Sequence, residues 1–373
     1  MDIESGTFEL KDENQLKLDL NRGIKVFFRD ALRIALRNPK QAISFLRTLR
    51  WLRRSARLRS AWVKQGVQVP PIIIFSVTNE CNLKCQGCYA QSFHQKTDHE
   101  LSDDEVRNIV EQSKELGVSF FVIAGGEPFL RSKILDIMKD FPEMIFLVFT
   151  NGVLIDNDMI DQFKKYKNVV PLISLEGDGL DTDRRRGEGT YKKIENIMAQ
   201  MDKKGIFFGT SLTLTRQSFS TIMNRSYIQN LIKAGSKFLL YIDYTPTQEG
   251  TEDWVLTDEQ RNKVMDLMKF FRLNYPALFI AVPWDEVDVG GCLSAGRGFI
   301  HINAEGDVEP CPFAPFSDIN LKYVSLKEAL RSEFLSALRQ IPELSRYTGG
   351  GCALWKNREK VVSVLRQSSN HKK

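Results

Sequence analysis

With 373 residues, 42% of them hydrophobic and 27% charged, the chain has an ordinary globular composition and length enough for about two domains. Six cysteines at this length exclude a dense disulfide framework, and no uncharged apolar run of about 18 residues reads as a spanning helix. The net charge of +5 is unevenly laid, because between Arg22 and Lys64 thirteen Lys and Arg face one acid, Asp30. The opening Met1-Asp2-Ile3-Glu4 is acidic rather than basic-then-apolar, which predicts no secretory leader, and clustered thiols without export predict a cytoplasmic location.

Residues 1–70 read as a basic helical arm. Two helices between about 22 and 65 break at Asn38-Pro39, since proline cannot continue a helix. Phe28, Leu32, Ala35 and Leu36 share a face of the first. Phe45, Leu49 and Leu52 share a face of the second, with Trp51, Leu58 and Trp62 close by. Arg29, Arg33, Arg37, Arg47, Arg50, Arg53, Arg54 and Arg57 cover much of the rest. Such a helix suits an anionic membrane surface (residues 22–64, a peripheral location), packing on the body, or an acidic partner; nucleic acid is the least favoured.

Val69-Pro70-Pro71 ends the arm and a βα rhythm begins. Apolar runs predict strands at Ile72–Val77, Phe120–Ala124, Ile145–Thr150, Val169–Leu175, Phe207–Leu214 and Lys237–Asp243. Between them helices fit at Leu101–Leu116, Asp156–Tyr166, Tyr191–Lys203 and Ser220–Ala234. The first opens on a capping box, Ser102 with Glu105 three residues on. Six strands alternating with helices make a parallel α/β sheet, whose ligands gather at the carboxyl ends of the strands.

The chemistry concentrates just past the first strand, in Cys81-Asn82-Leu83-Lys84-Cys85-Gln86-Gly87-Cys88. A cubane cluster takes four thiolates, so three in one loop leave one iron without a protein ligand. A structural zinc site, with His94 or His99 completing the set, stays open on spacing alone. Ala124-Gly125-Gly126-Glu127-Pro128 follows the second strand, Thr150-Asn151-Gly152 closes the third, and Ser174-Leu175-Glu176-Gly177 closes the fourth. Asp183-Arg184-Arg185-Arg186-Gly187 comes next, and Arg184 and Arg185 read as surface charge.

The C-x-x-x-C-x-x-C spacing together with these runs resembles the radical S-adenosylmethionine (SAM) superfamily. The resemblance implies a partial (β/α)6 barrel over residues 71–283. It implies a [4Fe–4S] cluster on Cys81, Cys85 and Cys88, with SAM chelated to the open iron and cleaved reductively to a 5′-deoxyadenosyl radical that abstracts hydrogen. Gly125, Gly126, Glu127 and Pro128 match the family's GGEP motif at the SAM amino group. Ser174 and Arg186 match its contacts to the SAM carboxylate, and Asn151 joins the cofactor-binding set. Where the family often carries an aromatic residue before the third cysteine, this chain has Gly87, so the adenine contact must come from elsewhere, with residues around Tyr244 a candidate; Tyr89 reads as packing.

Cys292, Cys311 and Cys352 form a second set. Residues 291–311 read as a β-hairpin around Glu305-Gly306-Asp307, and Leu326–Leu338 as the following helix. This resembles the SPASM and twitch extensions of the family and implies, over residues 284–373, one auxiliary [4Fe–4S] cluster. His301, Asp285, Glu286 and Asp288 are candidate fourth ligands. The expected activity is C–H functionalisation by an oxidoreductase that draws electrons from a flavodoxin or ferredoxin. The substrate is unidentified, and a membrane-associated lipid or protein is one class. The alternatives are a peptide maturase, weakened by the lack of a compact recognition domain before residue 70, and a non-catalytic iron–sulfur carrier, which would not need the SAM motifs. Asp243, Tyr244 and Asp285 are candidate polar groups over the pocket.

Overall fold

The computed structural model describes residues 39–93, 99–345 and 352–370. The first arm helix, His94 and the Gly349-Gly350-Gly351 run lie outside them.

The strands form one sheet in the order β7-β6-β5-β4-β3-β2-β1-β8-β9. They span Ile72–Ser76 (β1), Phe120–Ala124 (β2), Ile145–Thr150 (β3), Val169–Leu175 (β4), Gly209–Leu214 (β5), Phe238–Asp243 (β6), Leu278–Val282 (β7), Phe299–Ile302 (β8) and Val308–Glu309 (β9). β1 through β7 pair in parallel in sequence order, so the six expected strands are present. The seventh, Leu278–Val282, escaped the sequence reading although its run of five apolar residues is of the same kind. This is the partial barrel of alternating strands and helices.

Alternation along the strands divides the apolar residues into two layers. Val170, Leu172, Phe238, Leu240 and Leu278 pack together on the inner face. The other face carries the larger core, in which Ile73, Phe75, Phe121, Phe146, Leu239 and Tyr241 meet the helices. The helix Asp103–Leu116 begins on the expected capping box and ends on Gly117 at φ 93°. The expected helix Ser220–Ala234 is two helices, Phe219–Ile222 and Arg225–Lys233, because the Asn224 side chain caps Ser226 and restarts the ladder. Leu326–Leu338 divides likewise at Ser332, which caps Leu335.

The second arm helix, Pro39–Val63, starts at its proline and lies on the helix Asp103–Leu116. Trp51 is 5% exposed and belongs to the main core. Arg59 is buried and donates to Gly117 O (2.6 Å) and Ser119 Oγ (2.7 Å), and burial lowers its pKa to about 10. Trp62 is half-buried, with Lys327 Nζ 4.5 Å above its ring. Arg47, Arg50, Arg53, Arg54 and Arg57 are exposed. This segment therefore packs on the body through its aromatic residues and turns arginines to solvent. Among the described residues no helix is long and apolar enough to cross a membrane.

The chain's last quarter shares the barrel's sheet. β8 pairs in parallel with β1, Ile72 opposite Phe299, and returns through a turn at Gly306 (φ 95°) to antiparallel β9. The hairpin expected around Glu305-Gly306-Asp307 is therefore present, stitched to the first barrel strand.

Candidate active site

The Cys81–Cys88 loop leaves the carboxyl end of β1 and is held from several sides. The β1–β2 pairing continues past the strand ends: Val77 N–H donates to Ala124 O (3.0 Å), Gly126 N–H to Thr78 O (2.8 Å) and Glu127 N–H to Glu80 O (2.8 Å). Only glycine allows this approach. A Cβ on Gly125 would stand 2.2 Å from Thr78 O, and one on Gly126 would stand 2.1 Å from Glu80 O. Glu127 is fully buried and bolts β2 to β3, accepting from Thr150 Oγ1 (2.8 Å), Asn151 N–H (2.7 Å) and Phe129 N–H (3.2 Å). Burial raises its pKa, although these donors oppose the shift. Pro128 opens a short turn behind it. Asn151 reaches into the cysteine loop, donating from Nδ2 to Asn82 Oδ1 (2.8 Å).

The opposite flank is built on Glu176, at the end of β4 and 3% exposed. Its carboxylate takes Arg185 on one oxygen and Arg186 on the other, the Arg186 Nε bond being 3.0 Å. Arg185 then reaches the cysteine loop. Its Nε donates to Gln86 O (3.0 Å), its guanidinium lies 5.8 Å from the Tyr244 ring centre, and its own carbonyl accepts from Gln86 N–H (3.1 Å). The expectation that Arg185 is plain surface charge is thus overturned: its side chain is 14% exposed and bridges β4 to the loop, whereas Arg184, at 67%, is surface charge as expected. The difference lies in helix phase and in the buried Glu176, neither visible in a run of three arginines.

Gly87 has φ 65° and donates its N–H to Gln248 Oε1 (2.7 Å). A Cβ there would stand 2.5 Å from Tyr244 Oη and 3.0 Å from Trp254. The two rings pack 5.5 Å apart. The aromatic surface absent at position 87 is therefore supplied from beyond β6. Ser174 shares the inner-face alternation of Leu172 and is half-buried. Asp243 falls on the other face, 3.5 Å from Arg261, and Asp285 accepts from Arg272 Nη2 (2.6 Å) and Ala281 N–H (2.8 Å). Each carboxylate is thus ion-paired with an arginine.

The three thiols sense one another. Burial pushes Cys81 up to about 11, with Cys85, Glu127 and Cys88 adding to it. Burial also raises Cys85, opposed by Arg186 and Arg185. Three thiols in one loop, with Arg186 and Arg185 acting on Cys85, are chemically suited to a group that is held by thiolates and is itself anionic.

The second set is assembled from distant segments. Cys292 follows the turn Trp284–Val289, Cys311 follows β9 and is buried, and Cys352 caps the helix Ala353–Lys356. Cys311 is hydrogen-bonded to Cys352, which raises Cys311 and lowers Cys352. Burial and then Glu286 and Cys352 raise Cys292. His301 is fully buried with both ring nitrogens engaged, Nδ1 to Glu309 (2.6 Å) and Nε2 to Ser76 Oγ (2.8 Å). Tyr89, expected to pack, lies against Phe313 (5.2 Å between centroids), and burial followed by Cys88 and Cys311 raises its pKa, so it senses both cysteine sets. Among the described residues no three His, Cys, Asp or Glu are gathered closely enough to hold one metal ion. A four-iron cluster spreads its ligands over separate irons, so its donors stand farther apart than those around a single ion.

Comparison with known proteins agrees with this geometry. The model of the radical SAM superfamily matches residues 75–224, which include the first cysteine set and the GGEP and SLEG runs. The chain is 29% identical to the Fe-coproporphyrin III synthase of Methanosarcina barkeri over 47% of its own length and 44% of that protein's. It is 23% identical to the pre-heme d1 synthase of Dinoroseobacter shibae over 76% of this chain and 79% of that one. The structure of Streptococcus suis SuiB bound to precursor peptide SuiA superposes with a TM-score of 0.61 at 18% identity, covering 78% of this chain and 72% of that one. Residues 75–224 therefore match the radical SAM domain, and the relatives that the chain resembles are enzymes.

Proposed function

We propose that Cys81, Cys85 and Cys88 ligate a [4Fe–4S] cluster with one open iron, and that the enzyme functionalises a C–H bond of its substrate. A cluster held there would supply the electron for cleavage of the SAM C5′–S bond, which releases methionine and leaves a 5′-deoxyadenosyl radical able to abstract hydrogen from the substrate. The observation that carries this reading is the loop's confinement. Gly125 and Gly126 hold its entry, Asn151 its middle, and Arg185 with Gln248 its exit. Fixed geometry at the reacting centre can supply a large share of the rate gain of such a step. Ser174 on β4 and Arg186, which ends the helix Gly179–Arg186 and is held by Glu176, are the candidates for the methionine carboxylate, and Tyr244 with Trp254 offers a face for the adenine. Cys85→Ala should abolish 5′-deoxyadenosine formation by the reconstituted, reduced enzyme. A wild type that holds its iron and never forms 5′-deoxyadenosine overturns the reading.

The second set, Cys292, Cys311 and Cys352, supports one auxiliary [4Fe–4S] cluster, with a flavodoxin or ferredoxin as reductant. For the substrate we place a tetrapyrrole first, on the relation that extends over three quarters of this chain and of the pre-heme d1 synthase. Iron coproporphyrin should bind with a shift of its Soret band and stimulate 5′-deoxyadenosine formation; stimulation by a peptide instead reverses the order. The exposed arginines of Pro39–Val63 support a second feature, docking on an anionic membrane surface.

A further inference from the structure

We propose that the hairpin β8–β9 is part of the SAM site, with Glu305 and His301 as positioning residues for the first cysteine loop. They act through Asn79 and Ser76; this rests on the reading of that loop as the seat of a SAM-binding cluster. The excursion from β1 to the helix Asp103–Leu116 carries the three cysteines of the first set, and it is fastened to the chain's last quarter on both sides of them. At its start Ser76 Oγ lies 2.8 Å from His301 Nε2, and two residues before Cys81 the Asn79 side chain donates to Glu305 Oε1 (2.9 Å). Past Cys88, the Tyr89 ring lies 5.2 Å from that of Phe313, and the Phe93 ring 5.5 Å from that of Trp355. At its end Leu101 N–H donates to Ala304 O (2.8 Å). The family model stops at residue 224, so none of these partners belongs to the part of the chain that it matches.

The hairpin is braced for this role. Glu309 accepts from Asn303 Nδ2 on one oxygen (3.0 Å) and meets His301 Nδ1 with the other (2.6 Å). Asn303 Oδ1 in turn accepts from the N–H groups of Glu305 (3.1 Å) and Asp307 (2.9 Å), which fixes the turn that presents Glu305. Ser76, His301 and Glu309 are all buried. A buried polar network of this kind holds one geometry, because a displaced member would leave a polar atom unsatisfied. Asn79 is held by its backbone as well, its N–H donating to Glu100 Oε1 (2.7 Å). Since β1 lies between β2 and β8, the loop leaves the sheet with the GGEP run on one side and the hairpin on the other. Gly126 N–H holds the loop's entry from the first side, and Glu305 holds it from the second.

The test titrates SAM into the full-length, reconstituted and reduced enzyme and follows the response of its EPR spectrum. Glu305→Ala should raise the SAM concentration needed for that response about tenfold, as expected for losing one hydrogen bond to a charged group. Glu305→Gln keeps the oxygen that Asn79 requires and should respond as the wild type does. Ser76→Ala removes the partner of His301 and should shift the response in the same direction as Glu305→Ala; it decides the matter if that variant does not fold. Ser317 serves the hairpin alone, its hydroxyl engaging Val308 O (2.8 Å) and Ile319 O (2.7 Å), so Ser317→Ala should lower Tm and leave the SAM response unchanged. In the iron-free full-length chain, amide exchange across residues 79–84 should quicken in Glu305→Ala and not in Ser317→Ala. A wild-type response from Glu305→Ala or Ser76→Ala overturns the positioning role of that contact and leaves the SAM reading in place. Equal loss in Ser317→Ala, or no recovery in Glu305→Gln, also overturns it, because general weakening of the hairpin would then be the cause. A wild-type spectrum that ignores SAM overturns the reading of the loop itself.

Discussion

The two cysteine sets are held in opposite ways. The first lies within eight consecutive residues and borrows its rigidity: strand ends, two glycines, Asn151 and the Glu176–Arg185 bridge clamp it from outside. The second spans sixty residues of sequence, and the fold itself gathers it, through a turn after β7, a hairpin end and a helix cap. A local loop needs neighbours to hold it still, whereas a dispersed set is fixed by the elements that carry it. Perturbing a neighbour should therefore damage the first site far more than the second.

The largest effect should come from Gly126→Ala. Its Cβ would overlap Glu80 O, so the loop backbone must shift, and a displacement of that order at a reacting centre costs about a hundredfold in rate. 5′-Deoxyadenosine formation should fall accordingly while iron bound by the second set is unchanged; equal loss from both sets would break the contrast. Next comes Arg185→Met, which leaves Glu176 with one arginine and frees Gln86 O. Loss of hydrogen bonds to a charged group of this kind costs roughly 1.5–3 kcal/mol. The variant should bind SAM more weakly and lose iron from the first set on dilution, with Arg185→Lys recovering only part, since an ammonium cannot reproduce the guanidinium fork. The same change at Arg184, exposed to 67%, should be silent. Smallest is the arm. Replacing Arg54 alone with Ser should weaken binding to phosphatidylserine vesicles by about 1 kcal/mol at low salt, without touching either cysteine set. Because Trp51 is buried, binding by the wild type should disappear as salt rises; binding that persists in high salt would require an apolar anchor.

The same contrast decides what could be read in advance. Ligand spacing in the first loop, the glycines of GGEP and the capping box at Ser102 are local, and a sequence displays local geometry directly. The six strands were legible for the same reason, and the seventh was equally so in kind. Arg185 was misread because its partner, Glu176, lies nine residues away across a strand end, and only the fold makes them neighbours. Tyr244 and Trp254 fill the space beside Gly87 from more than 150 residues on, and the absence of an aromatic residue at 87 was the one available sign. Glu305 looked like any acid of a tight turn, since the Asn79 that it holds lies 226 residues earlier.

The parallel pairing of β8 with β1 also sets the order in which the molecule can be completed. Ser76 and its partner His301 are 225 residues apart, so the outer edge of β1 stays open until nearly the whole chain has been synthesised. Contacts of such long range are slow to form, and an open strand edge invites wrong pairing meanwhile. Asn79, two residues before Cys81, is in turn held by Glu305 of the same late hairpin (2.9 Å). On the ribosome the first cysteine loop would be made early and would gain its last structural partners late.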